Sequence, residues 1–133
     1  MMTRPNFARR SLHAVLVATA LLAAPSTGAA QSAPASERGN RLAYDHSIRC
    51  FIANLYLAGE AQERGDPAQA ERSERQGQRA FDGAKRLGAI IGKTNAQMTA
   101  DFDAAEAREL PKLVRDSAYR STVNGVCQRL GLM

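Results

Sequence analysis

The chain has 133 residues, 44% of them apolar and 23% charged, with a formal charge of +5, two cysteines and no tryptophan. That length fits one small domain and leaves no room for a paired dinucleotide-binding fold, an α/β barrel or a kinase. The positive charge invites a nucleic-acid reading, and the distribution of the arginines takes it away.

Residues 1–13 carry Arg4, Arg9 and Arg10 and no acid, and residues 14–24 are an unbroken run of Ala, Val and Leu with one Thr. Pro25, Ser26, Thr27 and Gly28 end the run, and Gly28 and Ala30 supply a small-x-small cleavage pattern. This order predicts a cleaved secretory signal peptide over residues 1–30, cut between Ala30 and Gln31. The apolar run is shorter than the roughly 17–25 residues a membrane span needs. The first cysteine is Cys50, so nothing near the cut can carry a lipid. The peptide holds three of the 18 basic residues and none of the 13 acids, which leaves 103 residues with a charge of +2. At that charge the argument for nucleic acid has no basis.

Residues 31–39, polar and containing Pro34, read as a flexible lead-in, and residues 40–133 as the folded domain. No stretch of this domain alternates apolar and polar residues in the manner of a strand, and helical periodicity covers nearly all of it. The first helix is predicted over residues 40–64, with Asn40 as cap. Tyr44, Ile48, Phe51, Ile52, Leu55 and Gly59 share one face, and Ala43, His46, Cys50, Ala53 and Leu57 form an adjoining stripe. So wide an apolar arc places this helix at the centre of its bundle.

Gly65-Asp66-Pro67 then spells a helix–helix turn. Gly65 suits a left-handed C′ position, Asp66 a carboxylate cap, and Pro67 the first helical position, with Gln69 completing a capping-box pattern. The order Leu57-Ala58, Gly65-Asp66, Ala70 resembles the middle of a single tetratricopeptide repeat. Glu74 and Asp82 stand where that motif has an aromatic and a proline, and no second copy follows, so the segment reads as an αα-hairpin. The second helix is predicted over residues 67–91, with Ala80, Ala84 and Gly88 repeating every four positions, a spacing that lets a neighbouring helix approach closely. Gly92 is its stop. A third helix over residues 95–109, capped by Thr94, carries Met98, Phe102 and Ala105 on one face. Leu110-Pro111 is predicted to end it, because the residue before proline avoids the α region. A fourth helix follows over residues 111–130, with Leu113, Tyr119, Val123, Val126, Cys127 and Leu130 on its apolar side. The fold class expected is therefore all-α: an antiparallel bundle of about four helices.

Two cysteines in a small exported domain pair, so Cys50 and Cys127 are expected to form one disulfide joining the first and last helices. His46 lies one turn before Cys50, which makes His46, Cys50 and Cys127 a conceivable metal set, but no fourth ligand is evident and oxidation would consume the thiols. A haem held by His46 and Met98 has no Cys-x-x-Cys-His to attach it. Asp45-His46-Ser47 contains the residue types of a hydrolase triad, yet successive helical residues point about 100° apart and cannot bond in series.

Arg72, Arg75, Arg79 and Arg86 form a stripe on the second helix, opposite its apolar face. The stripe reads as a solvated face, partly offset by Glu71 and Asp82 four residues before Arg75 and Arg86, with contact to an acidic partner as the functional alternative. Asp101, Asp103, Glu106 and Glu109 lack the glycine and terminal glutamate of a calcium loop and read as surface acids, free to pair with the arginine stripe within or between copies. No nucleophile, base and orienting group converge. The sequence thus predicts a small secreted or periplasmic protein without catalytic machinery, working through a protein partner as an interaction, stress or inhibitor factor, with no cofactor, no nucleic acid and no stable membrane insertion. A haem- or metal-carrying bundle using His46 is the alternative.

Overall fold

The computed structural model describes residues 34–133, so the signal peptide expected over residues 1–30 and its expected cut at Ala30–Gln31 fall outside the described residues. Within them, α1 spans Ala35–Glu63, α2 Pro67–Ile90, α3 Asn95–Arg115 and α4 Ser117–Arg129, and no strand forms. None of these helices is long and apolar enough to cross a membrane.

The turn glycines behave as the sequence implies. Gly65 and Gly92 adopt φ of 71° and 78°, a region that only glycine enters without strain. Each closes its helix with paired bonds, Gly65 N–H to the Gln62 carbonyl and Asp66 N–H to Ala61, then Gly92 N–H to Ala89 and Lys93 N–H to Gly88. Asp66 accepts from the Gln69 N–H at 2.9 Å, but the Gln69 side chain turns to Ser73 and Arg72 and the expected box with Asp66 is not completed, whereas Thr94 with Gln97 forms a full one.

Two boundaries differ from the sequence reading. Helix α1 begins at Ala35 rather than Asn40. Pro34 occupies its N-cap without a side-chain bond, and Glu37 lies in the first turn, where a carboxylate is favoured by the helix dipole. Glu37 also accepts from Arg41 one turn on, at 2.7 Å, so residues 35–39 are helical. The second difference is at Pro111, which does not divide two helices. Helix α3 runs through it to Arg115. An interior proline costs about 3 kcal/mol, and burial on either side of it supports the continuation: Glu109 and Leu113 are both fully buried. Ala107, whose carbonyl loses its usual donor, is exposed to water. The break comes at Asp116, extended at φ −120°, which ends α3 and caps α4 by accepting from the Tyr119 N–H.

Helix α1 is central and packs against α2, α3 and α4. Contacts ascend α1 and α3 together, Tyr44 with Asp101 and Arg49 with Glu109, so these helices are parallel. They descend α4, Tyr56 with Arg120 and Cys50 with Cys127. Each helix therefore runs opposite to its predecessor. Cys50 and Cys127 are joined by a disulfide across 77 residues. Beside it, fully buried Asn54 donates to the Cys50 and Leu132 carbonyls and ties the chain's end to α1.

The small side chains of α2, namely Ala70, Ser73, Gly77, Ala80, Ala84 and Gly88, are all buried and let α1 close upon it. A Cβ on Gly88 would collide with the Met98 thioether and press on Tyr44 Cε2 at 3.1 Å, whereas Gly59 has open space around it. Gly88→Ala is therefore expected to lower stability by about 1–3 kcal/mol, the cost of overpacking. Gly59→Ala should raise it by up to about 1 kcal/mol through helix propensity. Urea unfolding of the two variants tests this opposition of sign.

Candidate functional site

The outer face of α2 is the first candidate. Arg72, Arg75, Arg79 and Arg86 are all exposed, and at 1.5 Å per residue they span about 21 Å of one helix face. Arg72 donates to Gln69 Oε1 at 2.8 Å, and Arg75 pairs with Glu71. The expected pair of Asp82 with Arg86 does not form, because Asp82 accepts from Gln78 Nε2 at 3.0 Å instead. Arg79 and Arg86 have no acidic partner among the described residues. Among the described residues the stripe's one ion pair, Arg75 with Glu71, is local to α2, and none reaches the acids of α3.

Those acids divide into two kinds. Asp103 and Glu106 are exposed, as expected for surface residues. Asp101, half-buried, and Glu109, fully buried, instead join two polar networks, the first between α1, α3 and Lys93 of the α2–α3 turn, the second between α1, α3 and α4. Asp101 accepts from the Tyr44 hydroxyl at 2.9 Å and pairs with Lys93 at 2.6 Å. Glu109, 1% exposed, accepts from the Tyr119 hydroxyl, from Arg108 Nε at 2.8 Å, and faces Arg49 Nε at 3.5 Å. Burial pushes both carboxyls up. The hydrogen bonds outweigh it, those of Lys93 and Tyr44 on Asp101 and those of Tyr119 and Arg108 on Glu109. Both carboxyls are held below their ordinary values. Burial and the acceptors Asp101 and Glu109 push the Tyr44 and Tyr119 phenols upward. A shallow groove of about 140 Å³ lies between the networks, lined by Asp45, Lys93, Asp101 and Arg108 among others.

Surface-acid spacing gave no hint that Glu109 is buried. Its position was nonetheless readable, since Met98, Phe102, Ala105, Glu109 and Leu113 keep one helical face once α3 is carried past Pro111. Arg120 was missed as well. It donates to the Leu113 carbonyl at 2.6 Å and to the Tyr56 hydroxyl at 3.0 Å, satisfying the open end of α3.

The remaining sequence candidates are dispersed. Asp45 is exposed, His46 half-buried and Ser47 buried, so the three diverge around α1. Both cysteine sulfurs are committed to each other, which leaves His46 without thiolate neighbours to share a metal. The described residues contain no group of three or more His, Cys, Asp and Glu side chains placed to hold an ion. Met98 is buried beside Gly88 and Tyr44, as a core-filling side chain would be.

No protein-family model, curated protein or solved structure matches the chain.

Proposed function

We propose that the chain is an exported, non-catalytic binding protein of an oxidising compartment such as the periplasm, and that an acidic protein partner docks on α2. The signal sequence over residues 1–30 supports export. The Cys50–Cys127 bond is of a kind that persists where thiols are oxidised. The observation that carries the binding reading is the pair of arginines, Arg79 and Arg86, exposed on one stripe with Arg72 and Arg75 and unmatched by any acid of the described residues. Guanidinium groups in a row recognise carboxylates in fork geometry, and a stripe on a rigid helix presents them at fixed intervals.

The test is capture of proteins from the native envelope by the parent and by the double charge reversal Arg79→Glu with Arg86→Glu. These side chains make no internal ion pair among the described residues, so the variant is expected to keep the parent's melting temperature. It should lose a partner that the parent retains, and raising the salt concentration should release that partner from the parent. A partner held equally by both forms would overturn the assignment to α2.

A further inference from the structure

Helices α2 and α3 each pack elsewhere, α2 on α1 and α3 on α1 and α4, and they make little backbone contact with one another. Side chains bridge the gap. Phe51 of α1, Phe81 of α2 and Phe102 of α3 meet with ring centroids 5.1–5.4 Å apart, Phe51 and Phe102 edge to face. All three rings remain half-buried. Beside them opens a cleft of about 190 Å³ lined by Phe81, Lys85, Asn95, Met98, Thr99 and Phe102. An apolar cavity of about 150 Å³ is large enough for a benzene ring.

We propose that this cleft binds a small carboxylate with an apolar body, the body against Phe81, Met98 and Phe102 and the carboxylate toward Lys85 and Asn95. Phe81, Met98 and Phe102 offer contact to the apolar body, and the exposed lining, at least as polar as it is apolar, orients the carboxylate. Charge decides the class of ligand. None of the six lining residues is acidic. The Lys85 ammonium, 5.6 Å from the Phe81 ring centroid, has no carboxylate partner among the described residues. The Asn95 side-chain amide likewise has no hydrogen-bond partner there, while the Thr99 hydroxyl is turned to the Asn95 backbone carbonyl at 3.1 Å. Bare aromatic rings attract cations, but an ammonium already over Phe81 repels a second one and favours an anion. The site is separate from the arginine stripe of α2 and stands or falls independently of it.

Met98, which lines the cleft, carries a methyl group that serves as reporter. The oxidised protein, labelled with ¹³C-methyl methionine, is titrated with three probes of the same shape: 3-phenylpropionate, 3-phenylpropanol and 3-phenylpropylamine. The signal is assigned by its loss in Met98→Leu. Expected is a saturable Met98 shift, tightest for the carboxylate and weakest for the amine. Lys85→Gln should reduce carboxylate affinity by about fivefold, the upper range for an exposed ion pair, bringing it near that of the alcohol with the melting temperature unchanged. No Met98 shift with the carboxylate, amine binding as tight as the carboxylate, or full carboxylate affinity in Lys85→Gln would each overturn the proposal.

Discussion

Replacing Cys50 and Cys127 together by alanine is expected to lower the unfolding free energy by about 4–5 kcal/mol, the largest effect of any change considered. The bond closes a loop of 77 residues, and the chain-entropy relation gives about 4.5 kcal/mol at that length. A domain of about 100 residues has only about 5–15 kcal/mol of net stability, so the loss takes between about a third and nearly all of it. The bond also has neighbours that depend on it. Both cysteines are fully buried, and Asn54, one turn from Cys50, holds the Leu132 carbonyl. Loss of the bond should therefore release α4 and the C-terminus first, while the α1–α2 hairpin, with its small-residue packing, persists longest. Urea unfolding with and without reductant checks the magnitude. Hydrogen exchange checks the order, and protection lost uniformly through α1 to α4 would contradict it.

The second large effect concerns Glu109. Glu109→Gln keeps the side chain's shape but removes the charge that Arg108, Arg49 and Tyr119 surround. Removing one partner of a buried charged network costs several kcal/mol when the others stay buried. Here Arg49 and Arg108 retain access to solvent, so the expected loss is about 2–3 kcal/mol. The pH dependence carries the same information. Glu109 is held below its ordinary value in the folded state, so its contribution is complete above the ordinary glutamate pKa of about 4.3. It is lost as pH falls through the lower folded value. Asp101 acts with the same sign. Stability measured from pH 7 to pH 3 should therefore fall steeply in the parent and less steeply in Glu109→Gln, with Asp101 accounting for part of what remains. Equal slopes would show that folding leaves the Glu109 pKa unshifted, and would contradict the network's hold on its charge. At the alkaline end the raised phenols of Tyr44 and Tyr119 work oppositely: their contribution is complete below the ordinary value of about 10 and is lost as pH rises through the folded one.

Where the fold was legible in the sequence, a local physical rule had no competitor. Gly65-Asp66-Pro67 and the Thr94 cap specify their turns by backbone geometry and capping alone, and the structure forms both turns, with only the Gln69 half of the expected box missing. The central place of α1 followed from its wide apolar arc, and the disulfide from two cysteines on apolar stripes. Pro111 misled because its local preference competes with burial. A rule about the residue before proline cannot weigh the burial of Leu113 and Glu109 on the far side of the helix. That one boundary error also concealed the polar network, since Glu109 looked like the last residue of a surface helix instead of the middle of a buried face. The arginine stripe was visible by spacing, but the choice of Asp82 for Gln78 over Arg86 depends on rotamers that spacing does not encode. The cleft beside Phe81 and Phe102 required the relative placement of α2 and α3, which no local pattern contains.

The central claim is that the working protein is an exported chain closed by one disulfide. The intact mass of the protein recovered from the outer compartment of its own cells, without reductant, tests it most directly. The account predicts a chain beginning at Gln31 and lighter by two hydrogens than its reduced form, apart from any ammonia lost if the new terminal glutamine cyclises. A chain retaining residues 1–30 with both thiols free would contradict it.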